Sequence, residues 1–165
     1  MNIVVTADTH MPDKGKQLPS RLIKELKKTD LIIHAGDWNS MEVYHMLRTY
    51  GEVKGVYGNV DREDIKDRFP AQEILEVHGH KIGIVHGHGD KKTTEKRVLE
   101  AFEGEEVDII IFGHSHIPLL RYFKKKLLLN PGSPMDKRTH PYYSFVILTV
   151  GEEIRAEHVF FKDKN

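Results

Sequence analysis

Three short runs, Ile3-Val4-Val5, Leu31-Ile32-Ile33 and Glu52 to Tyr57, decide the fold when read as successive strands. The first two are apolar and largely β-branched, the pattern of strands buried on both faces. Between them, from Pro19 to Lys28, apolar Leu22, Ile23 and Leu26 stand among Lys, Arg and Glu at helical spacing. Pro19 and Ser20 suit the start of that helix. Ser40 can cap a second helix, whose apolar stripe is Val43, Met46 and Leu47. The order β-α-β-α-β predicts a right-handed parallel sheet.

Downstream the pattern changes. Ala71 to Val77 and Lys81 to Val85 read as a hairpin around Gly79. A helix from about Thr93 to Phe102 precedes the strongly apolar run Val107 to Phe112. The last third is strand throughout. Leu119 to Phe123 and Leu127 to Leu129 flank the basic turn Lys124-Lys125-Lys126, while Tyr142 to Val150 and Ile154 to Phe161 flank Gly151-Glu152. No linker, repeat or low-complexity segment interrupts the chain, so residues 1–165 are expected to form a single domain of α/β class. Helices would cover the outer faces of two packed sheets, with loops gathered at one edge.

Composition narrows the function. With 25 Lys and Arg against 25 Asp and Glu, the chain has no overall field to draw in nucleic acid or an acidic membrane. Cysteine is absent, which removes disulfides and thiolate zinc sites. The start Met1-Asn2-Ile3-Val4-Val5 lacks the marks of a signal peptide, and no apolar run nears the ~20 residues of a membrane helix, so a cytoplasmic protein is expected. Phe160-Phe161 suits either the core or an interface in a homo-oligomer.

The strand ends carry chemistry. Asp8-Thr9-His10 follows the first strand, Gly36-Asp37 the second and Gly58-Asn59-Val60-Asp61 the third. His86-Gly87-His88 and Gly113-His114-Ser115-His116 follow two later strands. Sheet ends are where α/β proteins present working side chains. Asp8 and His10 offer oxygen and nitrogen to one ion, although Asp-x-His also fits an ordinary loop. Asp37, after a glycine turn, is free to bridge two cations about 3.5–4 Å apart, or simply to close the turn. Asn59 can give a carbonyl oxygen to a metal or form an Asx turn. Asp61 suits a supporting role, holding a ligand histidine in its tautomer. His86 is the expected ligand of its fragment, with His88 a neighbour that touches substrate or packs. In a continuing extended chain His114 and His116 would share one face, whereas at a loop bend after glycine they could serve two adjacent ions; metal binding is expected over a pair of core histidines. The spacing His86-x-His88-x-Asp90 also resembles the metallo-β-lactamase ligand run, but Lys91 stands where the next histidine belongs. His34, His45, His78, His80, His140 and His158 have no metal-like context.

Taken in order, the fragments resemble the calcineurin-like metallophosphoesterase superfamily, and the Asn130-Pro131-Gly132-Ser133 turn points to its small prokaryotic phosphodiesterase (YfcE-like) branch. The resemblance runs from Met1 to about Ser133, with the remaining strands assigned to the second sheet. It implies a four-layer α/β/β/α sandwich of two mixed β-sheets flanked by helices, with two divalent metal ions. Asp8, His10 and His116 would hold one ion and Asn59, His86 and His114 the other, with Asp37 between them. The family favours Mn²⁺, with Ni²⁺, Zn²⁺, Fe or Co²⁺ compatible with the same ligands. The implied activity is hydrolysis of a small-molecule phosphate ester, most naturally a diester, by hydroxide bridging the two ions. One departure stands out: Val60 occupies the position where many members carry a proton-donating histidine. The alternative is a non-catalytic scaffold similar to the retromer subunit of the same fold. That subunit departs from the ligand set at the histidine equivalent to His10, which is present here. Nuclease activity is disfavoured by the neutral charge. Arg62, Lys14 and Lys16 could reach a substrate phosphate, but all three are read in the first place as surface charges.

Overall fold

The computed structural model describes residues 1–165. In chain order the elements are β1 (Asn2–Thr6), α1 (Ser20–Leu26), β2 (Leu31–His34), α2 (Met41–Arg48), β3 (Glu52–Gly55), α3 (Glu63–Arg68) and β4 (Gln72–Val77). They continue as β5 (His80–Val85), α4 (Thr94–Ala101), β6 (Ile109–Ile111), β7 (Leu119–Phe123), β8 (Lys126–Asn130), β9 (Tyr143–Val150) and β10 (Ile154–Phe161). Two five-stranded sheets result, ordered β10-β9-β1-β2-β3 and β4-β5-β6-β8-β7. Both are mixed: β1, β2 and β3 run parallel, as do β5, β6 and β8, and the flanking strands pair antiparallel.

Alternation along each strand explains the layering. Ile3 and Val5 of β1 face Ile82, Ile84, Ile109 and Ile111 of the second sheet in one buried cluster. Val4 and Ile32 point the other way, against Leu22 and Leu26 of α1 and Val43 and Leu47 of α2. On the far side, Ile110 and Leu128 meet Val98 of α4 and Phe102 just beyond it. Each such aliphatic side chain contributes about 1.5–3 kcal/mol on full burial. The layers are therefore helices, sheet, sheet, helix, the α/β/β/α sandwich expected from the sequence. Ser40 caps α2 by accepting the Glu42 amide at 3.1 Å, and Thr93 caps α4 through the Lys96 amide at 3.2 Å. No helix is long and apolar enough to cross a membrane.

Two features differ from expectation. The strands after Ser133 do not extend the second sheet. β9 lies antiparallel to β1, with Ile3 opposite Leu148 and Val5 opposite Val146, and β10 follows it. The reason is the handedness of the β-α-β units: β2 and β3 stack on one side of β1 and leave its other edge open. The apolar strand β9 closes that edge, and the N-terminal ammonium seals it on the Val150 carbonyl at 2.9 Å. The second difference is α3. Its six residues are mostly charged and bury only Ile65, a signal too weak for periodicity to reveal.

Candidate metal centre

All five fragments converge on one edge of the sandwich, beyond the carboxyl ends of β1, β2, β3, β5 and β6. The loops fold back on themselves there. Asp8, His10, Asp37, Asn39, His114 and His116 all adopt left-handed backbone, with φ between 45° and 70°. Each non-glycine residue held so costs on the order of 1–3 kcal/mol, and such strain gathers at functional sites. Hydrogen bonds between loops sustain it. The Asp8 amide donates to Gly36 O at 2.9 Å and the His10 amide to Asp37 O at 3.1 Å. Ser133 Oγ donates to Asp8 O at 2.7 Å, and the His114 amide donates to Asp8 Oδ2 at 3.0 Å.

The side chains form two groups, Asp8 with His10 and His116, and Asp37 with His86 and His114, each with its donor atoms within 4.8 Å of one another. The carboxylates lie between the groups. Asp37 Oδ2 is 3.2 Å from His86 Nε2 and 3.6 Å from His10 Nε2. Asp8 Oδ1 is 3.6 Å from His116 Nε2 and 3.8 Å from His86 Nε2.

The outer nitrogens fix the tautomers. His86 Nδ1 faces the Ala35 carbonyl at 2.7 Å, and His116 Nδ1 faces the Asp136 carbonyl at 2.5 Å. A carbonyl only accepts, so both Nδ1 atoms carry hydrogen. His10 Nδ1 meets Asn39 Oδ1 at 3.1 Å, and Asn39 is oriented by donating Nδ2 to Asp13 at 2.9 Å. Each ring, when neutral, therefore turns an Nε2 lone pair toward the carboxylates. His10 and His116 bring theirs within 3.2 Å, and the buried His86 Nε2 has no hydrogen-bond partner. Lone pairs converging on carboxylates repel unless a positive charge sits among them. The donor set thus fits divalent cations, with hard oxygen and imidazole nitrogen mixed.

The proton affinities carry the same signature. Burial pushes Asp8 up to about 7, against the pull of His86. Burial also works to raise Asp37, but contact with His86 holds it down to about 2. His86 is lifted to about 9 because the Asp37 and Asp8 carboxylates outweigh its own burial. Burial lowers His114 to about 4 with help from the His86 charge, and lowers His116 to about 4 despite its Asp136 partner. These two rings are neutral at pH 7 and ready to donate a lone pair.

Of the residues expected from sequence, Asp8, His10, Asp37, His86, His114 and His116 are brought together. Asn59 sits exposed at the rim, between Gly58, which packs on Asp37, and Val60, whose amide donates to Asp37 Oδ1 at 3.1 Å. His88 is exposed but close, its ring 5.5 Å from that of His86. Asp61 plays a different part from the one expected. Its carboxylate accepts the amides of Asp37, Trp38, Asn39 and Gly58 at 2.7–3.0 Å and touches no histidine. It shapes the loop that presents Asp37. His34 has a clearer structural role than its sequence suggested. It accepts the Gly36 amide on Nδ1 at 3.2 Å, reaches Thr9 Oγ1 with Nε2 at 3.0 Å, and stacks on Trp38 at 3.7 Å. It thereby ties the Asp8 loop to the Asp37 loop. Lys14 is engaged by Asp136 at 3.5 Å. Sequence reading missed Asn39 and Asp136, because a side-chain amide and a main-chain carbonyl carry no motif.

A two-sheet sandwich with two His and Asp groups at its strand ends defines an α/β protein with a candidate site for metal ions. The chain belongs to the calcineurin-like phosphoesterase superfamily, whose domain it matches over residues 1–153. It is 37% identical over 162 residues to a Methanocaldococcus jannaschii protein named as a probable metallophosphoesterase, covering 95% of this chain and 80% of that one. It is similar to the wild-type Vps29 of Entamoeba histolytica solved with Zn²⁺, at 25% identity and a TM-score of 0.76 over 97% of this chain and 99% of that chain. An archaeal phosphodiesterase shares the fold, with 22% identity and a TM-score of 0.76 over 98% of this chain and 100% of that one. Members of this superfamily bind divalent metals, and the chain is a phosphoesterase by family.

Proposed function

We propose that residues 1–165 act as one metallophosphoesterase domain and hydrolyse a small-molecule phosphodiester at a centre for two divalent cations. Asp8, His10 and His116 would hold one cation, and Asn59, His86 and His114 the other, with Asp37 shared. The observation that carries this reading is the set of three tautomer-locked imidazoles aimed at two carboxylates. When bound, the cations would lower the pKa of water and neutralise charge on the phosphoryl oxygens. The chain's part is to hold the donors and limit proton transfer. Val60 can neither give nor take a proton, and His88 is the nearest exposed imidazole able to do so. Mn²⁺ is the metal we favour.

The test is hydrolysis of bis(p-nitrophenyl) phosphate with added Mn²⁺, with and without chelator, beside Asp37→Asn. Chelator-sensitive turnover that is lost in Asp37→Asn is expected. Metal binding with no such turnover would transfer the support to a scaffold role, a reading with which the similarity to Vps29 is compatible.

A further inference from the structure

Two cations near the centre are engaged by the protein, whereas Arg62 stands at the rim with His10 and Asn39 and has no ion-pair partner. Lys14 pairs with Asp136 at 3.5 Å. Arg97 is held by the carbonyls of Gly87, Lys91 and Lys92 at 2.7–2.9 Å, which fixes the loop carrying His88. Arg138 is different. It has no carboxylate partner, and the one hydrogen bond of its guanidinium goes to the His114 carbonyl, 3.5 Å from Nη1 and held by backbone rather than charge.

Its backbone is not that of a casual surface residue. Arg138 adopts φ of 50°, and its amide donates to Asp136 Oδ1 at 3.3 Å. The same Asp136 orients His116 through its carbonyl and is fastened by Ser133 Oγ, which accepts its amide at 2.8 Å. The segment that positions His116 therefore also brings Arg138 to His114, while leaving the charged head in solvent. The guanidinium is near enough to lower the proton affinities of both Asp8 and His116, which places its field on the first donor group.

We propose that Arg138 is a catalytic residue of this centre, binding the non-bridging oxygens of the substrate phosphate through its free guanidinium edge. The proposal rests on the phosphoesterase reading and adds to it a ligand for the phosphate contributed by the chain itself. An arginine fork matches two phosphoryl oxygens at once and strengthens as charge gathers on them in the transition state.

The test compares wild type with Arg138→Gln, Arg138→Lys and the remote control Arg155→Gln, whose side chain is 79% exposed. Gln keeps a polar, uncharged side chain, whereas Lys retains the charge without the fork. Arg138→Gln should lower kcat/KM for bis(p-nitrophenyl) phosphate by roughly 10²-fold, the scale of losing one transition-state donor. Arg138→Lys should recover part of that loss, with bound Mn²⁺ unchanged in both. Calorimetric binding of inorganic phosphate to the Mn²⁺-loaded protein should weaken about tenfold or more in Arg138→Gln. Wild-type phosphate affinity and turnover in Arg138→Gln would overturn the proposal, as would equal losses in Gln and Lys accompanied by loss of Mn²⁺. Phosphate binding also separates the two readings. If wild type binds phosphate through Arg138 but turns nothing over, hydrolysis fails and the arginine site stands.

Discussion

Asp61 looks at first like one more ligand in a Gly-Asn-x-Asp fragment, yet its four amide contacts make it the keystone of the Asp37 loop. Asp61→Asn would remove the charge and one acceptor oxygen, leaving buried amides unsatisfied. A loss of about 2–3 kcal/mol is expected in urea unfolding, with weaker metal binding as Asp37 shifts. An unchanged midpoint would contradict this role. Val60 sets a second expectation at the same scale. General acid assistance is worth roughly 10²–10⁴-fold, so nitrophenyl diesters should be cleaved far faster than an unactivated alkyl phosphate. Equal rates would show that another group, His88 first among candidates, supplies the proton. The clustered donors were legible in the sequence because each needs a particular residue type at a strand end. Asp61's true role was not, since an aspartate accepting amides and an aspartate steering a histidine share one letter.

Elements were readable where burial imposes a period. β1, β2, α2 and the β4–β5 hairpin follow from alternating or helical apolar patterns, whereas α3 has one buried side chain to announce it. The sheet to which β9 belongs could not be read from β9 itself, because apolar strands suit either sheet. That choice was made by the open edge of β1. The ends of elements also impose close approaches. A Cβ on Gly58, just beyond β3, would lie 2.0 Å from Asp37 Oδ1 and 2.5 Å from its amide nitrogen. Gly58→Ala should therefore displace Asp37, costing about 1–3 kcal/mol as overpacking does and most of the metal-dependent activity. Gly151→Ala, in a turn where the new methyl meets nothing within 4 Å, should stay within about 0.5 kcal/mol of wild type. Comparable losses in both would deny the close-approach argument.

At the scale of the whole molecule, protons and cations compete for one buried cluster. In chelated protein, His86 at about 9 contributes stability that is full below its ordinary 6.5 and lost as pH rises through 9. Asp8, raised from 3.8 to about 7, contributes in the same sense and has lost its share by about pH 7. Asp37 works oppositely, its contribution present above 3.8 and lost only as pH falls through about 2. His114 and His116, depressed to about 4, contribute fully above 6.5 and so add no slope there. Stability of the chelated protein should therefore fall between pH 6.5 and 9. Saturating Mn²⁺ should flatten or reverse the fall, because cation binding improves as ligands shed protons. At about 100 times Kd the added stability is about 2.7 kcal/mol. Urea midpoints at several pH values, with and without Mn²⁺, check this, and parallel curves would argue against a shared site. The hydrogen bond from Ser133 to Asp8 has a consequence for birth as well as for chemistry. It spans 125 residues, and at ~5–20 residues per second of synthesis the ribosome needs roughly 6–25 s to supply the second partner. A nascent chain must therefore carry Asp8 without this partner until Ser133 has been made, and a product stalled before Ser133 should emerge inert.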